Sequence, residues 1–474
     1  MTQLTRREFL KLSAVVAAEA LAGQSLLSAC SPKPKAEPTQ LAEPVTPAEP
    51  TKPAEPTRLA SPSGNVLGVG RGLFPGRVVW AHNPLATTWD GQSDFWWNEK
   101  FTDQKLVNEM LSNSLHQLTG QSSDTAAWDA LFTYFKTQRG QSGGYRPGEK
   151  IAIKANLNGS KSHSGIKNDS FVSPAVALAL LNQLIQVGVK PDDITLYDAS
   201  RNVPDPLVNA CGTAALAGVH FADFSGGDGR EACQRDLNLP IQWSVNPNGN
   251  PAYLPTLVTQ ATYLINLSLF KGHSLAGVTL TSKNHFGTLM SDLDRKPTIN
   301  PPQGANLHGF VAAYDLNAAP GWSWPQAPMG SYSPLVDLIG HAHLGGKTLL
   351  FMIDALYGVE DQNAELSNKS LFQSAPFNNH WSSSLFLSQD PLALDSVGAD
   401  ILVNEPIMVT HPDVLPKDST YQNYLHEAAL ADNPPSRTVY KLPSLGVHDH
   451  WNNTTEMKYG RNLGFSEGIE LIMG

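Results

Sequence analysis

Residues 149–158 read EKIAIKANLN, and this stretch opens the part of the sequence that decides the fold. The apolar run over residues 149–157 predicts a buried strand. A helix is predicted soon afterwards, with Ser173 as its N-cap and Pro174 in its first turn. A second strand is predicted over residues 193–198. A strand, a helix and another strand in this order are typical of two parallel strands joined by a crossover.

The same alternation continues along the chain. Further strands are predicted at 77–82, 219–224, 261–269, 347–356 and 383–390, and further helices at 102–120, 125–140, 333–346 and 391–405. We therefore predict an α/β fold, with a mostly parallel sheet flanked by helices in Rossmann-like layers. Sheets of this kind place ligand sites beyond the carboxyl ends of their strands.

Several of the predicted strands end in polar side chains. The candidate ligand-binding residues at these ends are Lys154, Asn156, Asn158, Asp354 and Asp390, and comparable positions are held by Asp198, Ser200 and His273. If the strands are parallel, their carboxyl ends meet at one edge and these side chains share one site. The alternative is ordinary turn and capping chemistry, above all for Asp390, which precedes a proline.

Residues 271–289 read KGHSLAGVTLTSKNHFGTL and follow one of these strands. Two lysines, two histidines and an asparagine stand here without an acidic neighbour. We predict a loop that enters a helix after Ser274, which would place Thr279 and Lys283 one turn apart on one face. A lysine pair in solvent on an ordinary helix is the alternative.

The chemistry of these side chains suggests their roles. Histidine titrates near neutral pH and lysine attracts carboxylate or phosphate, so the candidate catalytic residues are His273, Lys283 and His285. Two neighbours in the same segment are further candidate ligand-binding residues, namely Thr279 and Asn284. Three carboxylates would orient these groups or bind a hard cation, namely Asp354, Asp390 and Asp395.

Composition excludes some classes of function. The 474 residues carry a formal net charge of −10 with a pI near 5.8, which argues against nucleic acid as a partner. The sequence has no P-loop, no G-x-G-x-x-G and no G-x-S-x-G motif. Whether a metal is bound stays open. HDH at 448–450 could chelate as an extended pair or simply be hydrogen bonded, whereas HAH at 341–343 falls in a predicted helix, where alternate residues face apart.

The N-terminal residues predict a targeting signal rather than a folded element. Arg6 and Arg7 precede a short apolar region that contains a glutamate, which favours a twin-arginine signal over a membrane span. LLSAC then resembles a lipobox, so we expect residues 1–30 to be a signal with Cys30 as the lipidated residue. Residues 31–63 are proline-rich and predict a disordered stalk. The globular domain is expected over residues 64–474. A chance basic N-terminus and a chance small-residue run before a cysteine are the alternatives.

The cysteines limit the cofactors. Besides Cys30 the chain has Cys211 and Cys233, which form either a disulfide outside the cytoplasm or two buried thiols. Three cysteines cannot supply the usual four thiolates, so no iron–sulfur cluster is expected. A metal or a nucleotide-derived cofactor remains compatible with the sequence.

Four motifs resemble a known family. IAIKANLNGS, LFKGHSLAGVTLTSKNHFG, IDALYG and LSQDPLALDSVGADIL are similar, in this order, to segments of the domain of unknown function 362 family. The likeness covers roughly residues 149–405. Ala155 stands where that family usually has proline. GVHDHWNN, YGRNLG and GIELI are similar to the C-terminal part of an exported subgroup of the family. The resemblance implies an α/β fold and no established activity.

A second resemblance concerns the chemistry. The frame H-x3-G-x5-K, formed by His273, Gly277 and Lys283, is similar to a segment of the lactate-racemase family, which uses a nickel–pincer nucleotide. The resemblance implies that Lys283 carries the cofactor and that His273 transfers protons. A nickel-ligating histidine would be expected near residues 298–300, where the sequence has Thr-Ile-Asn, and His308 does not fit the spacing.

The expected function follows from these observations. We expect a protein anchored outside the cytoplasm by its lipid, delivered by the twin-arginine export machinery. Its partner would be a small anionic ligand, on which it acts as an enzyme or which it binds. A surface solute-binding lipoprotein without catalysis and a lactate-racemase-like proton-transfer enzyme are the alternatives. The substrate, the reaction and the oligomeric state do not follow from the sequence.

Overall fold

A computed structural model describes residues 66–245, 251–291, 304–319, 322–410 and 419–474. The predicted signal with Arg6, Arg7 and Cys30, the predicted stalk at 31–63 and residues 298–300 lie outside these described residues. None of the helices in the described ranges has the length and apolar character needed to cross a membrane.

The structure contains a strand at each of the predicted positions 77–82, 149–157, 193–198, 219–224, 261–269, 347–356 and 383–390, and the described residues include further strands that were not predicted. In chain order they are β1 (Leu67–Gly68), β2 (Arg77–His82), β3 (Ile151–Ala155), β4 (Ile194–Tyr197), β5 (His220–Asp223), β6 (Glu231–Ala232), β7 (Arg235–Pro240), β8 (Ala252–Pro255), β9 (Tyr263–His273), β10 (Gly277–Thr279), β11 (Met290–Ser291), β12 (Leu316–Ala319), β13 (Trp322–Trp324), β14 (Thr348–Val359), β15 (Ser384–Ser388), β16 (Val447–His448) and β17 (Glu470–Met473).

The α-helices lie between these strands. They are α1 (Gln104–Thr119), α2 (Asp124–Thr137), α3 (Pro174–Gln186), α4 (Asp205–Ala210), α5 (Thr256–Thr259), α6 (Thr281–Asn284), α7 (Pro334–Gly340), α8 (Pro391–Asn404), α9 (Pro406–Thr410) and α10 (Asn423–Ala429). Two 3₁₀ turns border the site described below, His285–Thr288 and Gly304–Phe310. The predicted N-cap of α3 is confirmed, because the Ser173 side chain accepts a hydrogen bond from the amide of Ala175.

One large sheet organises the domain. Its strand order is β17-β2-β15-β14-β9-β3-β4-β5-β6, and β10 pairs with β9 beside this path. The pairings from β14 through β9, β3, β4 and β5 to β6 are all parallel, and β17 is parallel to β2. Only β15 and β10 run against the others within this sheet, so the predicted α/β class with a mostly parallel sheet is confirmed.

Helices cover both faces of the sheet. Residues of β3 and β9 that point to one face, such as Ile153 and Ile265, pack with α1, α2 and α3. Their neighbours Ala152 and Leu264 point to the other face, where the core includes residues of α7, α8 and α10. This alternation is what a strand buried on both sides requires, and it decides which face each polar residue of the strands reaches.

The direction of β15 corrects one expectation. Because β15 is antiparallel to β14, with Ser388 opposite Phe351, its end lies at the amino edge of the parallel strands. Asp390 therefore lies at the opposite edge from the ends of β3, β4 and β9. The physical reason is the connection. In the described residues between β14 and β15 no α-helix crosses the sheet, so the chain re-enters at the edge where it left.

Candidate functional site

The site lies at the carboxyl edge of the neighbouring strands β4, β3 and β9. Lys154 and Asn266, paired in register on β3 and β9, point to the face covered by α6 and the 3₁₀ turn after it. Both side chains are buried. The sheet thus brings residues that are more than a hundred positions apart into one layer beneath residues 281–288.

A buried ion pair forms the floor of this layer. The Nζ atom of Lys154 donates to Asp198 at 3.0 Å and also to the carbonyl oxygen of Ala155 and the side-chain oxygen of Asn284. Asp198 further accepts from the amide of Leu157. Burial lowers the pKa of Lys154 and the attraction of Asp198 opposes this shift. The ammonium group of Lys154 therefore has its hydrogen-bond partners within the protein.

Asn284 holds α6 to the sheet. Its side-chain nitrogen donates to the Asn266 side chain at 2.8 Å and contacts the carbonyl oxygens of Lys154 and Leu267 at 3.2 and 3.3 Å. The side chain of Asn266 in turn donates to the carbonyl oxygen of Thr281 at 2.9 Å. The predicted ligand-binding residue Asn284 thus has its hydrogen-bonding groups engaged within the fold, and it fixes the position of its neighbour Lys283.

A hairpin replaces the helix that we predicted after Ser274. Strand β9 continues to His273, and β10 returns antiparallel, with Gly277 opposite His273 and Thr279 opposite Lys271. Gly277 has φ of +78°, a conformation that favours glycine. The expectation that Thr279 and Lys283 lie one turn apart on a helix is therefore wrong. Gly, Val and Thr at 277–279 have low helix propensity and pair with β9, so α6 begins only at Thr281.

Asp395 of α8 caps the start of α6. Its carboxylate accepts hydrogen bonds from the amide of Thr281 at 2.8 Å, from the amide of Ser282 at 3.0 Å and from the hydroxyl of Thr281 at 2.6 Å. Tyr424 donates to the same carboxylate. Burial raises the pKa of Asp395, against these hydrogen bonds. Asp395 therefore orients the site, in line with one of the two roles that the sequence suggested.

Lys271 is a buried lysine that the sequence-based list of candidates omitted. It is 0% exposed, and its Nζ atom lies 3.5 Å from the hydroxyl of Ser170. Burial, together with the charge of Arg201, lowers the pKa of Lys271 to about 7. No carboxylate oxygen within the described ranges lies within 4.0 Å of this amine. Facing Lys271 on β10, the hydroxyl of Thr279 is buried and has no hydrogen-bond partner among the described atoms.

Lys283 forms a second centre with two histidines. Its Nζ atom lies 3.3 Å from Nε2 of His308 and 4.0 Å from the centre of the Phe286 ring. The rings of His308 and His273 are stacked with centroids 5.8 Å apart. Burial, with the charges of Lys271 and Arg201, lowers the pKa of Lys283 to about 7. Burial and Lys283 hold the pKa values of both histidines well below 6.5, so these rings are neutral near neutral pH.

The two candidate histidines of the segment differ in their surroundings. Nδ1 of His273 accepts from the amides of Leu275 and Ala276, both at 3.1 Å, which leaves its other nitrogen as a donor. His285 is 1% exposed, and burial lowers its pKa to about 3. Its Nε2 contacts the amide nitrogen of Asn266 at 3.1 Å. His273 lies beside Lys283 and His308, whereas His285 belongs to the buried layer with Asn266.

Arg201 was likewise missed, and it borders the site through Asn158. Its guanidinium donates to the carbonyl oxygen and to the side-chain oxygen of Asn158, both at 2.9 Å. Asn158 also donates to the carbonyl oxygen of Gln362. Asn156 accepts from the amide of Asn158 with its side-chain oxygen at 3.2 Å. Asn156 and Asn158 thus shape the loop that carries positive charge to this edge.

Two predicted carboxylates accept hydrogen bonds from backbone amides of the fold. Asp354 accepts from the amide of Ser173 at 2.6 Å and from that of Leu356, which joins β14 to the start of α3. Asp390 is the N-cap of α8 and accepts from the amides of Leu392 and Ala393. Burial raises the pKa of each to about 6. These contacts match the alternative of ordinary turn and capping chemistry, with a turn contact at Asp354 and a cap at Asp390.

The histidine motifs and cysteines stand apart from this site. HAH follows the end of α7 rather than lying in a helix, and His450 of HDH contacts Asp400 at 2.7 Å. Across the described part of the chain, no three His, Cys, Asp or Glu side chains are placed to hold a metal ion. Cys211 and Cys233 are not bridged, because they pack against opposite faces of the sheet.

The missed residues carried a weak signal in the sequence. Lys271 continues the apolar run of β9, and a lysine that extends a buried strand is unusual. Arg201 follows Asp198 and Ser200 at the end of β4. His308 offered no comparable signal, because its contact with Lys283 depends on how the chain returns after α6.

No curated protein shows a significant match to the chain. A family described as Domain of unknown function (DUF362) matches residues 151–400, which is more than half of the chain and includes β3, β9, α6 and most of α8. The chain belongs to the DUF362 family.

Proposed function

We propose that this chain binds a small anionic ligand beside Lys271 and Lys283 and transfers protons to or from it. The observation that carries the proposal is the pair of buried lysines without a carboxylate partner among the described residues. Lys154, by contrast, has Asp198. Burying an ammonium group without a counter-ion costs several kcal/mol of free energy. These two amines therefore carry little charge until an anion binds.

Proton transfer would fall to the neutral groups around Lys283. His308 lies within hydrogen-bonding distance of the amine, and His273 stacks on His308. Burial lowers the pKa of Lys283 to about 7, so its amine can exchange a proton near working pH, and the neutral His308 imidazole offers an acceptor for it. The resemblance to lactate racemase implied a nickel–pincer cofactor with a ligating histidine near residues 298–300, where the sequence has Thr-Ile-Asn, so the proposed proton transfer uses the chain's own side chains.

The predicted location is part of the same proposal. Arg6 and Arg7 would direct export through the twin-arginine machinery, and Cys30 would carry the lipid that anchors the protein outside the cytoplasm. Arg6→Lys with Arg7→Lys should keep the protein in the cytoplasm, and Cys30→Ser should release it from the membrane fraction. Unchanged fractionation of both variants would contradict this location.

Calorimetry tests whether a small anion binds at this site. An anion raises the pKa values of Lys271 and Lys283 on binding, so binding takes up protons and affinity should fall as pH rises above about 7. We would titrate the full chain with inorganic phosphate, lactate and pyruvate in buffers of different ionisation heat. Lys271→Met should weaken binding at least tenfold, whereas exposed Lys167→Met should not.

The alternatives separate in the same experiment. Tight binding without turnover or isotope exchange of the ligand would favour a surface solute-binding lipoprotein. Solvent deuterium incorporated next to the carboxylate of lactate would favour a racemase-like enzyme. If none of the three anions binds with proton uptake, the proposed site is wrong.

A further inference from the structure

A second cavity lies at the amino edge of the sheet, opposite the site of Lys271 and Lys283. It is bordered by Thr348 and Leu349 at the start of β14 and by Gln389, which follows β15. Its volume is about 330 Å³. Sites for small molecules typically have volumes of about 300–1,000 Å³. The cavity is therefore large enough for a small organic ligand, and the proposed function makes no use of it.

Two arginines line this cavity without a carboxylate partner. They are Arg71 and Arg139, and no aspartate or glutamate of the described residues shares the lining with them. Neither guanidinium has a carboxylate oxygen within 4.0 Å in the described ranges, whereas Arg77 and Arg230 each have one. Arginine stays charged at neutral pH. The cavity thus carries two positive charges that no ion pair within these ranges neutralises.

Backbone contacts hold both guanidinium groups in place. Nη2 of Arg71 donates to the carbonyl oxygen of Ser444 at 2.7 Å. Arg139 donates to the carbonyl oxygen of Phe135 at 2.7 Å and to that of Gly346, and its guanidinium lies 3.4 Å from the centre of the Phe135 ring. A guanidinium has five N–H donors. Each arginine therefore keeps donors that a ligand could use.

The carboxylate of Asp390 lies near Arg71 but is used by the backbone. It accepts hydrogen bonds from four amides, those of Arg71, Leu392, Ala393 and Val447. Two carboxylate oxygens offer about four acceptor sites, so these bonds fill them. Burial lowers the pKa of Arg71 and the attraction of Asp390 opposes this shift. Asp390 therefore caps α8 and leaves the side chain of Arg71 available.

Other polar groups of the cavity can also donate hydrogen bonds. The side-chain oxygen of Gln389 accepts from the amide of Leu73 at 2.9 Å, which leaves its NH₂ group as a donor. The hydroxyl of Tyr134, which lines the cavity as well, can donate too. Hydrogen-bond donors beside two positive charges favour an anionic ligand.

The cavity also has an apolar wall. It includes Ile339, Leu349 and Phe351, and all three side chains are buried. An apolar wall with a few charged groups at its border is typical of sites for small organic molecules. A bare inorganic ion would leave this wall without a contact.

Beyond the proposed function, we infer that this cavity is a second binding site, which takes a small organic dianion. Two arginine charges match two negative charges. A phosphate monoester carries about two on one group near neutral pH, and a dicarboxylic acid carries one on each of two groups. The hydrocarbon part of the ligand would contact the apolar wall. Inorganic phosphate lacks this part, and lactate and pyruvate lack the second charge.

Calorimetry with aromatic anions tests this inference. We would titrate the full chain with phenyl phosphate, isophthalate and benzoate at one pH and one ionic strength. We expect at least one of the two dianions to bind, and benzoate, which has a single charge, to bind about tenfold more weakly or less. A preference for phenyl phosphate would identify a phosphate ester as the ligand, and a preference for isophthalate a diacid. If neither dianion binds, the inference is overturned.

A matched pair of arginine variants locates the binding. Arg139→Gln should weaken binding of the preferred dianion about tenfold or more, because a charged donor is lost. Arg146→Gln is the control, since exposed Arg146 also donates to the carbonyl oxygen four residues earlier but does not line the cavity. Lys271→Met should leave the affinity for this dianion unchanged, because Lys271 lies at the other edge. Unchanged affinity in Arg139→Gln, or lost binding in Lys271→Met, would overturn the inference.

Chemical modification of the parent protein does not depend on any variant folding. Phenylglyoxal reacts with accessible arginines, and peptide mapping measures the rate at each one. A saturating concentration of the preferred dianion should slow the modification of Arg139 severalfold and leave that of Arg146 unchanged. Equal rates at Arg139 with and without the dianion would show that the dianion does not occupy this cavity.

Discussion

At the scale of single residues, the three lysines of the site differ in whether they have a carboxylate partner. Lys154 has a carboxylate partner at 3.0 Å, whereas Lys271 and Lys283 have none among the described residues. Buried pairs contribute little net free energy, but one partner left alone in the interior is costly. We therefore expect Lys154 and Asp198 to act on stability, whereas the other two lysines are those proposed to bind the ligand.

Removal of the Lys154 amine tests this division. Lys154→Met leaves Asp198 buried with its amide donors but without its cation. We expect the free energy of unfolding to fall by about 3–5 kcal/mol. Adding Asp198→Asn should restore part of that loss, because no charge is then left alone. Chemical denaturation of the two single variants and the double variant measures the coupling.

The matched control is an ion pair that directly precedes the same two strands and joins an exposed lysine to a buried aspartate. Lys150 lies 2.9 Å from Asp193, and its side chain is 53% exposed. Water screens this pair, so Lys150→Met should cost no more than about 1 kcal/mol. Equal losses for Lys154→Met and Lys150→Met would contradict the importance of burial at the first pair.

At the scale of elements, the short helix α6 depends on its neighbours. Four residues cannot form a stable helix alone. Asp395 of α8 binds its first amides, and Asn284 ties its last turn to β3 and β9. The position of Lys283 is therefore set by α8, β3 and β9, which lie outside its own helix.

Asp395→Asn should loosen this helix. The amide can accept only through its oxygen, and its NH₂ group faces a backbone donor. We expect a loss of about 1–3 kcal/mol in the free energy of unfolding. We also expect calorimetry to show at least tenfold weaker binding of whichever tested anion the parent protein binds.

Asp390→Asn is the companion variant. Asp390 also accepts several amide hydrogen bonds, yet it caps α8 at the opposite edge of the sheet. A similar loss of stability is expected here, with unchanged affinity for the anion. Equal loss of affinity in both variants would show that general destabilisation, and not the position of α6, controls binding.

The elements themselves were largely readable in the sequence, with instructive exceptions. Apolar period and capping predicted β2, β3, α3 and α8, because these depend on local signals. The hairpin of β9 and β10 was missed although Val and Thr in GVT favour a strand, because its pairing with β9 depends on a turn that the local apolar period does not show. The antiparallel direction of β15 could have been predicted from the sequence, because no crossover helix was predicted before it.

At the scale of the whole molecule, the parallel sheet assembles the site from segments far apart in the chain. Strand ends at 154 and 198 could be grouped from the sequence because parallel strands share an edge. Which lysine is paired and which is not depends on side-chain contacts across β3, β9 and α6. No periodicity encodes such contacts, and so Lys154 was expected to bind ligand although it binds Asp198.

The free energy of unfolding should depend on pH, because lysines and tyrosines are buried in the folded chain. Burial lowers the pKa values of Lys271 and Lys283 to about 7, below the value of about 10.4 for an unfolded lysine. Between these values the unfolded chain binds more protons than the folded one, so stability should rise with pH from about 7 to about 10. Above pH 10 the buried tyrosines, whose pKa values are raised, oppose the trend.

Comparison of variants isolates the lysines in that window. Each of Lys271→Met and Lys283→Met should remove at least ~1 kcal/mol of the rise between about pH 7 and about pH 10, as followed by urea denaturation. The exposed control Lys167→Met should reproduce the parent slope. A saturating anion should flatten the slope of the parent protein alone, because it restores the protons that burial removed. A parent slope that neither lysine variant changes would mean that both amines stay protonated in the folded chain, and the anion site would lose its physical basis.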